Sequence, residues 1–273
     1  MSGGEAEGPI VVRDDLHAER QGERRTAEQL VAGETGAEIV VGGADLAVQP
    51  GGRTEHAQAL GRTRLDAGLD ALRARHQGGA APARLVFSSS VAVFGPDDAV
   101  PMPERVADDT LPTPQTSYGI HKHICEHLVA DYTRKGYIDG RSARLMTVTV
   151  RPGKPNGAAS SFFSGIIREP LAGEPSVCPV SPDVSHPVTS PRATVDGLIT
   201  VFECSREAYG GRTALNLPGL NVTVQQMLDA LERVGGPEVR ARVTFERNDT
   251  IAGIVARWPK GSSAVRANKL GLH

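Results

Sequence analysis

The segment Arg84–Gly95, RLVFSSSVAVFG, constrains the fold most strongly. Leu85, Val86 and Phe87 form an unbroken apolar run, and three serines follow at once. A strand wet on one face would alternate; a continuous apolar run is the pattern of a strand buried on both faces. Such a strand needs parallel neighbours and covering helices. The neighbouring segments supply both. Ile10–Val12 and Ile39–Val41 read as short strands, and Leu69–His76 as a short helix closed by Gly78-Gly79. Residues 96–117 carry five prolines and several acids, and read as loop. Tyr118–Lys135 has a helical pattern that stops at Gly136. Ala143–Val150 is β-rich and ends in Arg151-Pro152-Gly153, and a Pro- and Ser-rich stretch then runs to about Pro191. Val195–Glu203 is a helix candidate, Ala214–Leu217 a short strand, and Thr223–Val234 an amphipathic helix ended by Gly235-Gly236. Alternating strands and helices predict an α/β fold: a doubly wound parallel sheet with right-handed crossovers.

Composition narrows the classes. A chain of 273 residues suits one α/β domain or two unequal lobes. A net charge of −2 excludes nucleic-acid binding by charge alone, and 39% hydrophobic residues exclude an acidic disordered tail. The cysteines Cys125, Cys178 and Cys204 are odd in number and form no C-x-x-C pair. That spacing indicates neither a disulfide framework nor a zinc knuckle and suits a reducing, cytoplasmic setting. No apolar run approaches the roughly 18 residues of a membrane span, and the first residues lack a signal-peptide pattern. Residues 1–83 contain no Phe, Tyr, Trp, Lys or Cys, so every motif with those groups lies beyond them.

The chemistry centres on Tyr118-Gly-Ile-His-Lys122. A spacing of four puts both side chains on one helix face. A free phenol titrates near pH 10, and an ammonium a few ångströms away stabilises the phenolate. The pair can then take a proton from a substrate hydroxyl as hydride leaves the adjoining carbon. Ser88-Ser89-Ser90 lie at the carboxyl end of the buried strand, where open α/β sheets bind ligands. A rival motif overlaps the same helix. His123-Ile-Cys-Glu126-His127 matches the H-x-x-E-H pattern of a zinc peptidase. On a helical projection, however, both histidines turn away from the apolar side formed by Ile124, Cys125, Leu128 and Val129.

Taken in order, the serine-ended strand, Val-Phe-Gly, the Pro-rich loop, Tyr-Gly-x-x-Lys and the later Arg-Pro resemble the extended short-chain dehydrogenase/reductases, the NAD-dependent epimerase and dehydratase group. The strings VRPGKPNGAASSFFSGIIREPLAGE, SPRATVDGL and LNLPGLNVTVQQMLDALERVGG are similar to its D-erythronate dehydrogenase branch, over roughly Leu69 to Leu272. The resemblance implies a Rossmann-like sheet with a smaller C-terminal substrate lobe. It divides the chain into 1–68, the incomplete start of the nucleotide-binding part; 69–150, its remainder with the catalytic motifs; and 151–273, the substrate lobe.

The implied reaction is NAD-dependent oxidation of a secondary hydroxyl of a sugar acid to the 2-keto acid. By the resemblance Tyr118 is the base, Lys122 its partner and Ser90 the group that orients substrate. Ser88, Tyr118 and Lys122 would contact NAD, and Ser90, Asn156, Ser160, Ser190 and Arg192 would line the substrate site. No metal is implied. The implied partners are a small-molecule sugar acid and a second copy in a homodimer, with no nucleic acid or membrane. Met146 replaces the family's proline, and Ile120 and His121 replace its small and amide residues. A nucleotide-sugar epimerase of the same fold is the alternative activity.

A dinucleotide site also needs a Gly-rich turn between strand and helix, where backbone and helix dipole meet the pyrophosphate. Residues 1–83 contain no G-x-G-x-x-G or G-x-x-G-x-x-G after a strand. The expectation is an incomplete nucleotide-binding half: a lost start, a reading frame shifted between about Asp45 and Leu69, and a C-terminus short of the family's last helix. A non-catalytic remnant is the corresponding alternative to an active enzyme.

Overall fold

The computed structural model describes residues 10–12, 38–40, 54–153 and 158–273, with side chains from Leu65 onward. In chain order come β1 (Ile10–Val12), β2 (Glu38–Val40), α1 (Thr54–Gln77), β3 (Ala83–Ser90), β4 (Arg105–Val106), α2 (Ser117–Arg134), β5 (Ile138–Leu145) and β6 (Thr147–Val148). There follow α3 (Ser161–Leu171), β7 (Ser176–Cys178), β8 (Ser185–Thr189), α4 (Pro191–Glu203), α5 (Arg206–Tyr209), β9 (Leu215–Asn216) and β10 (Leu220–Thr223). The chain ends with α6 (Val224–Gly235), α7 (Pro237–Arg240), β11 (Val243–Phe245), α8 (Asp249–Val255), β12 (Gly261–Ser262) and α9 (Val265–Lys269).

The Rossmann-like sheet is parallel throughout its described strands. β5 lies between β3 and β9, with Ser88, Ser89 and Ser90 opposite Ala143, Arg144 and Leu145. β1 pairs in parallel with β2, which lies alongside β3. Strand alternation sends Leu85 and Phe87 to one face, where they meet Leu65, Leu69 and Leu72 of α1 and Cys125 and Val129 of α2. Val86 and Ala143 point the other way, onto Leu198, Val201 and Phe202 of α4 and Ala267 of α9. Each face thus buries its own helical layer, as the apolar run of β3 requires. α1 begins well before the expected Leu69. Leu65, Leu69 and Leu72, spaced four and three apart, give it one narrow buried stripe.

Beyond the sheet, Phe163 and Ile166 of α3, Leu228 and Leu231 of α6, Val188 of β8 and Val243 of β11 form a second core. This smaller lobe hangs on β8, which pairs with β6 and β10. α4, β9 and α9 return the chain to the sheet. Among the described residues, no helix is long and apolar enough to cross a membrane.

His186 ties β8 to the chain before β12. Its Nδ1 lies 3.0 Å from the Pro259 carbonyl, and its Nε2 2.7 Å from the Thr147 hydroxyl. A carbonyl only accepts, so Nδ1 carries the proton and Nε2 accepts from Thr147. Phe163 and Trp258 lie against the ring, each with centroids 5.2 Å away. Burial pushes the imidazole down to about 4, against the smaller opposing pull of the Pro259 carbonyl. In the unfolded chain a histidine titrates near 6.5. Between those values the unfolded state holds the extra proton, so stability rises with pH. We expect acidification from pH 7 to pH 4 to remove about 3 kcal/mol through this one group. Urea unfolding across that range checks it: His186→Gln should lack this component of the slope.

Candidate active site

The site is assembled at the carboxyl ends of β3 and β5. Ser88 and Ser89 are each 1% exposed, because the sheet and both helical layers close around the strand end. Ser90 is extended, and its hydroxyl accepts from the Ala92 N–H at 3.1 Å, capping the 3-10 turn Val91–Val93. α2 starts beside this turn. Its cap is Thr116, whose hydroxyl accepts from the Gly119 N–H at 3.1 Å. Tyr118 therefore sits in the first turn, close to where Ser90 leaves the strand.

Gly119 permits that approach. A Cβ there would lie 2.1 Å from the Ala92 carbonyl oxygen, a backbone atom with no side-chain freedom to yield. We expect Gly119→Ala to separate α2 from the turn and to destabilise the fold by roughly 1–3 kcal/mol. It should lower turnover as well, because Tyr118 and Ser90 move apart. Thermal unfolding and steady-state kinetics on the purified variant check both effects.

Lys122 lies one turn deeper, 8% exposed. Its Nζ donates to the Ser88 carbonyl at 2.6 Å and lies 5.6 Å from the centroid of the Tyr118 ring and 5.0 Å from that of Phe87. The ammonium is thus held at the strand end beside the phenol. A further turn along the same face, Glu126 is buried. Its Oε1 accepts from the Ser89 hydroxyl at 2.5 Å and from Arg144 Nε at 2.9 Å, and its Oε2 from Arg144 Nη2 at 2.8 Å. His123 Nδ1 lies 3.4 Å from Oε2. Burial works to raise this carboxyl, but the hydrogen bonds from Arg144, His123 and Ser89 and the Arg144 charge outweigh it and hold it at about 2. The Arg144 guanidinium also lies 4.8 Å from the centroid of the Phe94 ring.

The three serines therefore serve differently: Ser88 through its carbonyl, Ser89 and Ser90 through their hydroxyls. No local sequence pattern links Ser89, Glu126 and Arg144 as a unit. The separate signals are an acid at Tyr118 + 8 on the Tyr–Lys face and an arginine inside a β-rich run.

The expected substrate residues are more dispersed. Ser160 directly precedes α3 and makes no capping bond. The Ser190 hydroxyl accepts from the Ala193 N–H at 3.1 Å, capping α4. Arg192, in the first turn of α4, has a side chain 92% exposed, 3.7 Å from Asp196. Asn156 lies outside the described residues. A hydroxyl, a phenol and a fixed ammonium at parallel strand ends are a donor set that fits the nicotinamide-ribose end of a dinucleotide.

The H-x-x-E-H motif has a different setting. Glu126 is held in the Arg144 fork, which leaves it unable to serve as a peptidase base. His123 and His127 instead face each other, Nε2 to Nε2, at 3.2 Å. Among the described residues, no three His, Cys, Asp or Glu side chains cluster as metal ligands.

Comparisons with known proteins agree with this architecture. The D-erythronate dehydrogenase of Cupriavidus necator is 47% identical over 228 residues, which are 83% of this chain and 69% of that protein. The D-erythronate dehydrogenase of Haemophilus influenzae is 44% identical over 189 residues, 69% of this chain and 59% of that protein. The crystal structure of a nucleoside-diphosphate-sugar epimerase from Agrobacterium tumefaciens superposes with a TM-score of 0.76 at 37% identity, covering 87% of this chain and 67% of that one. Residues 23–186 match the NAD dependent epimerase/dehydratase family, and the chain belongs to that family.

Proposed function

We propose that the protein is an oxidoreductase that uses NAD to oxidise a secondary hydroxyl of a sugar acid such as D-erythronate to the 2-keto acid. The carrying observation is the Lys122 ammonium, anchored on the Ser88 carbonyl at 2.6 Å one helical turn from Tyr118. An ammonium fixed beside a phenol favours the phenolate, so Tyr118 can accept a proton near neutral pH. Ser90 donates a hydrogen bond to the reacting oxygen and aims the hydroxyl proton at Tyr118. Bound NAD would supply the hydride acceptor, and Lys122, Tyr118 and Ser88 would hold its nicotinamide-ribose end. Asn156, Ser160, Ser190 and Arg192 form the substrate lobe's contribution, with the planar Arg192 fork suited to a carboxylate.

The names of the two D-erythronate dehydrogenases support the sugar-acid reading. Similarity to the Agrobacterium protein supports a second reading, an epimerase acting on a nucleotide sugar. The two separate cleanly in one assay. Net NADH release with D-erythronate and none with UDP-sugars supports the dehydrogenase; conversion of a UDP-sugar without net NADH supports the epimerase. A titration followed by NADH fluorescence addresses the remnant alternative: saturable binding at one equivalent per chain excludes it.

A further inference from the structure

We infer that Ser89, Glu126 and Arg144 form a positioning unit that fixes Lys122 beside Tyr118. The inference rests on the dehydrogenase reading above and adds residues that the Ser–Tyr–Lys assignment does not include. Three observations carry it. First, Tyr118, Lys122 and Glu126 repeat every four residues on one face of α2, so whatever holds Glu126 also sets the rotation and depth of the face bearing the other two. Secondly, Glu126 is bonded to both strands that end at the site: to β3 through the Ser89 hydroxyl and to β5 through the two-pronged Arg144 contact. Ser89 and Arg144 are themselves directly opposite in the parallel register. Ser89 also lies between the carbonyl that receives Lys122 and the hydroxyl of Ser90. Thirdly, Arg144 lies over Phe94, at the far end of the turn on which Gly119 packs.

Charge gives the unit a second role. A buried carboxylate four residues from Lys122 would compete for its ammonium. Arg144 occupies both carboxylate oxygens, and the Lys122 ammonium donates to the Ser88 carbonyl. The arrangement is not the best one for stability. Arg144 Nη1 is buried with no hydrogen-bond partner among the described residues, and buried ion pairs with such gaps gain little over apolar packing. Geometry at the strand ends is the better account of its presence.

The test uses the full chain and variants Ser89→Ala and Glu126→Gln, with circular dichroism to establish folding. The first readout is brief acetic anhydride labelling, with peptide mass spectrometry of Lys122 against Lys135, Lys260 and Lys269. Both variants are expected to label several-fold faster at Lys122 alone. The second readout is kinetic: kcat with D-erythronate falls about ten- to a hundredfold, the cost of small misplacement, while KM is unchanged. Ser89→Ala added to Glu126→Gln should lower kcat little further, because one unit is already broken. Ser89→Ala removes a single oxygen and keeps the ion pair, so it remains informative where Glu126→Gln unfolds. Labelling needs no substrate, so a chain inactive on D-erythronate contradicts the proposed activity while the positioning claim is still read from Lys122. Unchanged Lys122 labelling in a folded variant overturns the claim. A uniform rise across all lysines, or a raised KM with kcat retained, overturns it too.

Discussion

Tyr118→Phe is expected to lower kcat by about a thousandfold with the fold intact, within the range for loss of a positioned proton acceptor. The substitution removes one oxygen from a half-buried ring and leaves the ring face toward Lys122 in place. Circular dichroism and thermal unfolding should be close to those of the parent. NADH binding should weaken but persist, because the phenol's bond to the ribose is lost while Lys122 keeps its place. Lys122→Met gives the complementary result. It removes the charge that favours the phenolate and also the bond to the Ser88 carbonyl, so kcat and dinucleotide affinity should fall together. A Tyr118→Phe enzyme with more than a tenth of the parent's kcat would assign the base elsewhere.

The second large effect is structural. Arg144→Met is expected to destabilise the protein by about 3–5 kcal/mol, because it leaves the Glu126 carboxylate buried and uncompensated. Arg144 and Glu126 have side chains only 5% and 6% exposed, so water cannot replace the lost partner without opening the helix–sheet contact. Adding Glu126→Leu to Arg144→Met removes the stranded charge and should recover most of the lost stability. Recovery of stability without recovery of kcat is the distinguishing pattern: the apolar pair fills the space but cannot hold the Ser89 hydroxyl. Urea unfolding of the parent, the single variant and the double variant measures the first part, and steady-state kinetics the second.

Those two expectations draw unequally on what the sequence makes visible. Tyr118, Lys122 and the serine triplet stand out because a four-residue helical spacing and an unbroken apolar strand are local patterns. The helix expected from Tyr118 to Lys135 is observed as Ser117–Arg134, and Thr223 supplies a full capping box for α6 with Gln226. Local patterns fail where a partner is distant in the chain. β5 begins at Ile138, five residues before the expected strand. Its early residues Asp139 and Arg141 look like loop, yet Arg141 is fully buried. It donates to the Val201 carbonyl at 3.1 Å, in the last turn of α4. The start of α1 was hidden because its first turns offer few apolar anchors. Within the Pro- and Ser-rich stretch, α3 and β8 form because Phe163, Ile166 and Val188 find a second core. The Glu126–Arg144 pair unites residues 18 apart on different elements, and only tertiary packing brings them together.

Residues 1–83 carry no Phe, Tyr, Trp or Lys, so no Tyr–Lys chemistry can reside there. The groups proposed to carry the reaction, the strand-end serines, Tyr118 and Lys122, all lie at or beyond Ser88. The decisive measurement is therefore product formation by the purified chain. Incubated with D-erythronate and NAD, it should yield a 2-keto acid and NADH in equal amounts, and the Tyr118→Phe variant should yield neither above background. Absence of both products from the folded parent chain, or undiminished production by Tyr118→Phe, would contradict the account.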